Sequence, residues 1–150
     1  MNSPARSKAR SAARLAAVQA LYQQHMESTA LNKLLDEFHQ HRLGRTIDDD
    51  DFDDAEYADA EVPFFDDVVR GVDARRDEID AAIAAKLAAG WSLVRLDKAM
   101  LQVLRAGTYE LLARQDVPVA VAISEYVDVA KAFFDDGQAK FVNGILDAVA

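Results

Sequence analysis

Residues 116–149, DVPVAVAISEYVDVAKAFFDDGQAKFVNGILDAV, decide how the chain is read. Asp116-Val117-Pro118 breaks any preceding helix, because proline pushes the residue before it out of the α region. Val119, Ile123, Val127, Ala130 and Phe134 then recur at helical spacing and predict one amphipathic helix. Asp135-Asp136-Gly137 is the turn that ends it. Phe141, Val142, Ile145, Leu146 and Val149 predict the next helix. Asn143 and Gly144 fall inside that helix, a costly place for glycine, and a close helix crossing is the expected reason.

The same periodicity extends upstream. Asp97 is placed to cap a helix running to Arg114, with Leu101, Leu104, Thr108 and Leu111 inward. Ile79, Ala82, Ile83 and Leu87 predict a shorter helix closed by Gly90. Pro63 reads as the first residue of a helix, with Asp66 and Asp67 in its opening turn. Its buried positions are Phe65, Val68, Val69 and Val72, and Arg75 and Arg76 suit its C-terminal end. Whether these two helices are separate or one bent rod is open at this level. Near the start, Leu15, Val18, Leu21, Tyr22 and Met26 predict a helix over about residues 6–26. A second follows, capped by Ser28 or Thr29, burying Leu31, Leu34, Leu35 and Phe38, and ended by Gly44.

No segment alternates with period two between turn signals, so no sheet is expected. The expected fold is all-α, about seven helices in two small packed bundles, with a long acidic loop after the second helix. The subdomains are expected at about 1–75 and about 76–150, with the loop at 45–61. No internal repeat of solenoid length is present.

Composition agrees. The 150 residues are 51% hydrophobic and 29% charged, with 28 alanines, 6 glycines and 3 prolines. That suits one helical domain of common size. The absence of cysteine removes disulfides, thiolate metal sites and a cysteine nucleophile, and fits a reducing, cytoplasmic compartment. No apolar stretch approaches a membrane span. The opening residues are rich in Arg, Ser and Ala and free of acids, as transit peptides are, while Arg14 and Gln19 interrupt the run a secretory signal needs.

The net charge of −9 argues against nucleic acid only if it is spread evenly, and it is not. Nine acids and no base lie between Asp48 and Glu61, and the rest of the chain carries 17 acids against 17 bases. Residues 1–26 hold Arg6, Lys8, Arg10 and Arg14 with no acid. A partner meets local charge, not the total.

Catalytic signatures are missing. There is no phosphate loop, dinucleotide fingerprint, nucleophile elbow or H-E-x-x-H. His39 and His41 point about 200° apart on a helix and cannot share a metal, so solvated imidazoles are the expected reading. The acidic run lacks the glycine and closing glutamate of an EF-hand loop and reads as a solvated, mobile segment. A binding module, not an enzyme, is expected, with no metal and no cofactor.

Arg6, Arg10 and Arg14 stand at i, i+4 and i+8, a stripe drifting only about 40° per step over about 12 Å. Guanidiniums so arranged can follow a phosphate backbone, with Lys8 on the flank. Cations near a helix N-terminus oppose the dipole, so the arrangement is locally unfavourable and points to a function. Unpaired RNA bases also call for stacking groups, and Tyr22 and Phe141 are the aromatic candidates. A helical scaffold that never touches RNA is the competing class, distinguished by having no salt-dependent RNA titration.

Taken in order, several blocks resemble the NusB family of transcription antitermination factors. They are Ala17-Val18-Gln19-Ala20-Leu21-Tyr22-Gln23, Phe65 with Gly71-Val72, and Asp97-Lys98-Ala99-Met100-Leu101 leading to Thr108-Tyr109-Glu110-Leu111. Asp116-Val117-Pro118, Val121-Ala122-Ile123-Ser124-Glu125 and Ala130-Lys131-Ala132-Phe133 follow. The closing Lys140-Phe141-Val142-Asn143-Gly144-Ile145-Leu146-Asp147 is the most specific. The likeness covers nearly everything except the acidic run.

The resemblance implies two helical bundles, no catalysis, and binding of boxA-type single-stranded RNA from ribosomal RNA leaders. It implies action with NusE, a small-subunit ribosomal protein, and with the RNA polymerase elongation complex and other Nus factors. Carried over by position, Arg10, Arg14, Lys140 and Phe141 become RNA contacts, with Arg6 and Lys8 as helpers. Tyr22 and Asp97 become the NusE contacts, which weakens the case for Tyr22 as a base-stacking group. Some family members self-associate and cover their RNA surface, so a homodimer is the implied alternative state. Ser11 and Ala12 stand where the family often has further arginines, Gly137 where it often has an acid, and Ser124 where it usually has asparagine. A methyltransferase carrying a related helical domain would need a Gly-rich cofactor motif, which this sequence lacks.

Overall fold

A computed structural model of the chain describes residues 4–40 and 52–150, with side chains from Lys8 to Gln40 and from Glu61 onward. Among the described residues there are seven α-helices and no strand. They are α1 (Pro4–Glu27), α2 (Leu31–Phe38), α3 (Phe52–Ala74), α4 (Arg76–Ala84), α5 (Lys98–Ala113), α6 (Val119–Phe133) and α7 (Asp136–Val149). The chain divides into two compact units, one ending at Arg70 and one beginning at Gly71.

In the first unit, α1 buries Ala13, Ala16, Ala17, Val18, Ala20 and Leu21. The small side chains let neighbouring helices approach closely without sacrificing helix propensity. The helix stops at Ser28, which adopts φ +55° and donates its N–H to the Gln24 carbonyl at 2.9 Å. Ser28 is therefore the left-handed end of α1 rather than the cap of α2. The N-cap of α2 is Ala30, whose side chain caps nothing, so the expected Ser28 or Thr29 cap is not formed. Leu34, Leu35 and Phe38 are buried as the spacing requires, and the Phe38 ring stacks on Phe65 of α3 at 5.6 Å.

Two expectations about α3 need correction. Pro63 lies inside the helix, not at its first position. The expected acidic loop is helical from Phe52 onward, while residues 45–51, with Gly44 and His41, lie outside the described residues. Both differences have one cause. Ala55, Ala58 and Ala60 favour helix, and acids at the opening of a helix are stabilised by its dipole. The run that looks like a solvated loop is therefore a good helix start, and it displaces the boundary upstream of Pro63. Proline removes one backbone hydrogen bond there without ending the helix. His39 also departs from expectation: its Nε2 is 2.6 Å from Asp66 Oδ1, so the imidazole is paired rather than simply solvated.

In the second unit, α3 and α4 are distinct. Arg75 leaves helical geometry at φ −113°, ψ 24°, and its guanidinium makes two 2.8 Å bonds to Glu78. At the end of α3, a Cβ on Gly71 would clash with the hydroxyl end of the Tyr109 ring, 2.1 Å from its Cζ and 2.6 Å from its hydroxyl oxygen. Glycine at 71 is thus the condition for Tyr109 to lie against α3. The central helix is α5, buried continuously from Met100 to Glu110. Its polar residues are held by neighbours. Arg105 donates Nε–H and an Nη2 hydrogen to Asp80 of α4, both at 2.8 Å. Glu110 accepts a short hydrogen bond from the buried Tyr126 hydroxyl of α6.

That last bond fixes the rotation of α6. Its buried residues are Ala122, Ile123, Tyr126, Val129 and Ala130. The expected stripe through Val119, Val127 and Phe134 is displaced: Val119 is exposed and the other two are half-buried. On α7, Ala139, Val142, Ile145 and Leu146 are buried. Gly107 of α5 admits Leu146, whose Cδ1 would lie 2.8 Å from an added Cβ. Gly144 has no such reason. Nothing lies within 4 Å of a Cβ built there, so the expected close crossing is not what keeps it small.

Candidate functional site

The basic residues of α1 are shaped by α3. Helical spacing places Arg10 and Arg14 one turn apart, and Glu61 and Phe64 stand three apart on α3. The two guanidiniums lie 4.7 and 4.9 Å from the centroid of the Phe64 ring. Arg10 Nε donates to Glu61 Oε2 at 3.3 Å. A cation over an aromatic face and a carboxylate at its edge satisfy guanidinium chemistry without water. Arg14 is only 2% exposed, so it supports α1 against α3 from beneath and is not an open phosphate ligand in this conformation. Lys8 is exposed and Arg10 half-buried. Arg6 lies on the backbone of α1, outside the described side chains.

Further along α1, Tyr22 is 41% exposed and Met26 joins it one turn later. Gln23 beside them bonds Glu37 of α2 at 3.2 Å. An exposed tyrosine and methionine at i, i+4 form a small apolar surface that a protein partner can cover.

In the second unit, Asp97 is the N-cap of α5, with its Oδ1 accepting from Ala99 N at 2.8 Å and Met100 N at 3.2 Å. The cap predicted from sequence is formed, so any contact Asp97 makes to a partner is added to a structural task. Just upstream, Trp91 is 56% and Val94 81% exposed. Arg95 lies over the Trp91 ring at 5.8 Å and donates to the Gly90 carbonyl at 2.6 Å. Sequence reading did not single out Trp91 or Val94. The available signal was the chain's one tryptophan in a Gly-Trp-Ser turn, where no core position was expected.

Lys140 is exposed and Phe141 half-buried on the second turn of α7. The helix is started by Asp135, whose side chain accepts from Gln138 N at 3.1 Å. Lys140 lines a shallow groove of about 320 Å³ between α6 and α7, together with Val127, Lys131, Asp136, Ala139 and Asn143. Lys131 and Asn143, noted in the sequence only as parts of motifs, are thus brought beside Lys140. Phe141 points off this face.

The hydrogen bond from Arg75 holds Glu78 below the ordinary carboxylate value, and the same bond raises Arg75. Among the described residues no group of three or more His, Asp or Glu is placed to hold a metal, and no helix is long and apolar enough to cross a membrane.

Comparison with known proteins gives a consistent pattern. The model of the NusB family matches residues 11–150. The transcription antitermination protein NusB of Novosphingobium aromaticivorans is 68% identical over 143 residues, covering 95% of this chain and 93% of that one. The structure of T. maritima NusB matches with a TM-score of 0.69 and 31% identity, over 100% of this chain and 92% of the other. A structure of the antitermination factors NusB and NusE in complex with double-stranded RNA matches with a TM-score of 0.72 and 26% identity, over 95% and 96% of the two chains.

Proposed function

The chain belongs to the NusB family, and from that premise we propose that it binds boxA-type single-stranded RNA of ribosomal RNA leader transcripts together with NusE. The bound complex joins the elongating RNA polymerase and other Nus factors and helps the polymerase resist termination. The protein performs no catalysis. It acts in the cytoplasm.

The observation that carries this reading is the likeness, over nearly the whole chain, to a NusB solved with NusE and RNA. Side-chain placement supports it. Lys8 stands exposed and Arg10 half-buried on the first unit, and Lys140 stands exposed on the second; each is a cation suited to a phosphate contact. Arg6 adds a further cation near the start of α1. Phe141 supplies a partly exposed ring for a base. Arg14 contributes by holding α1 in place over Phe64. Tyr22, extended by Met26, and Asp97 are the proposed NusE contacts, one on each unit.

The test is a reconstituted transcription assay. Adding this protein with NusE to polymerase on a template with a boxA leader should increase read-through of a downstream terminator. A template with a scrambled boxA should show no increase. Equal read-through on both templates, or none on either, would overturn the proposal.

A further inference from the structure

The groove between α6 and α7 has a composition that RNA affinity alone does not require. Lys131 and Val127 stand one turn apart on α6. Asp136, Lys140 and Asn143 stand at i, i+4 and i+7 on α7, facing the same space. Two ammonium groups, one carboxylate and one carboxamide therefore line a single concavity of about 320 Å³, floored by Val127 and the buried Ala139. Among the described residues, the side chains of Lys131, Asp136, Lys140 and Asn143 have no hydrogen-bond or ion-pair partner. The amide at the start of α7 is already served by Asp135, so the polarity of the groove comes from side chains and not from a helix end.

We propose that this groove is a nucleotide subsite that prefers guanine, with Lys131 and Lys140 on the phosphates and Asp136 and Asn143 on the base edge. This rests on the RNA reading above and extends it to residues and to a base. The chemistry selects the base. A carboxylate only accepts hydrogen bonds, and it can accept two in parallel. Guanine alone among the four bases offers two donors side by side on its Watson–Crick edge, N1–H and N2–H. Its neighbouring O6 accepts from the Asn143 amide or a lysine. Uracil and adenine give Asp136 one donor, and cytosine gives one donor beside two acceptors that the carboxylate repels. The small apolar floor takes the face of the base. Exposed bases of single strands are read in this way, by edge hydrogen bonds and a stacking or apolar platform.

The experiment compares fluorescence anisotropy of the full chain with a short oligouridine, the same oligomer carrying one central guanine, and its inosine and adenine counterparts. The guanine oligomer should bind about tenfold tighter than oligouridine, the size of one good bidentate base contact. Inosine, which lacks the N2 amine, should fall between them. Asp136→Asn should abolish the preference while leaving binding to oligouridine the same or tighter. Lys131→Gln should weaken every oligomer alike and make the log–log salt slope shallower by about 0.7. All the substituted side chains are exposed, and circular dichroism checks that the helices persist. Binding without a guanine preference, or a preference that survives Asp136→Asn, overturns the subsite and leaves the RNA function standing. Failure to bind any of these RNAs or a boxA-type RNA overturns both.

Discussion

Arg10 of α1 donates to Glu61 of α3 at 3.3 Å, and both side chains are largely withdrawn from water, 13% and 4% exposed. Glu61 is the last acid of the run that makes the chain acidic, and it is spent on a base that the RNA reading needs. Glu61→Gln keeps an acceptor for Arg10 but removes the charge. Its expected effects have opposite signs. Stability should fall by about 1–3 kcal/mol, the worth of a charge-assisted hydrogen bond, measured by urea unfolding. Affinity for a scrambled RNA at low salt should rise, because the Glu61 carboxylate no longer offsets the charge of Arg10. Unchanged affinity would mean that Arg10 serves packing only.

Deleting residues 46–61 carries the same argument further. It removes Glu61 with the other eight acids, and nonspecific RNA affinity at low salt should rise more than in Glu61→Gln. An unaltered titration would show that the acidic run neither repels RNA nor shields the basic side chains.

Asp97 caps α5 through Ala99 and Met100 and is proposed to touch NusE. Substitution separates the two roles. Asp97→Ala should cost about 1 kcal/mol through the lost cap. Asp97→Ser keeps a capping oxygen without the charge, so it should preserve most of the stability while weakening NusE binding in calorimetry. If Asp97→Ser binds NusE like the parent chain, Asp97 is a cap and nothing more.

Gly71→Ala places a methyl group 2.1 Å from Cζ of Tyr109. The ring or the end of α3 must move, and overpacking of this kind costs about 1–3 kcal/mol. Thermal unfolding should show the loss. At Gly144, where nothing lies within 4 Å, alanine should be neutral or stabilising by a few tenths up to about 1 kcal/mol, since it favours helix. Equal effects at the two positions would contradict the packing described here.

Tyr126→Phe removes the hydroxyl that Glu110 accepts from. The buried carboxylate loses a donor, and a loss of about 1–3 kcal/mol is expected on urea unfolding. A variant as stable as the parent would show that Tyr126 holds α6 by its ring alone.

Much of the fold is legible in sequence because its signals are local. Asp97 before an apolar run, proline after Val117 and the Asp135 turn each act within one helical turn of themselves, and all three boundaries are formed. The errors fall where a distant partner decides. Tyr126 faces the core because Glu110, sixteen residues away, satisfies its hydroxyl; by period alone, the stripe through Val127 is as good. Pro63 taken alone favours a first helical position, and only the helix formed by the acid-rich residues before it makes the position an interior one. The site is legible in part. The spacing of Arg10 and Arg14 is visible, but their engagement with Phe64 and Glu61, some fifty residues downstream, is not. The meeting of Lys131 with Lys140 across the α6–α7 turn likewise needs the packed helices.

The most direct measurement is fluorescence anisotropy of a boxA-type RNA and a scrambled control, titrated with and without NusE at two salt concentrations. Selective binding should tighten with NusE, and the log–log salt slope should be near −3, for about four phosphate contacts on a single strand. Lys140→Gln should weaken it and reduce that slope by about 0.7. Equal, feeble binding to both RNAs, unmoved by NusE, would contradict the account and leave a helical interaction protein that does not read RNA.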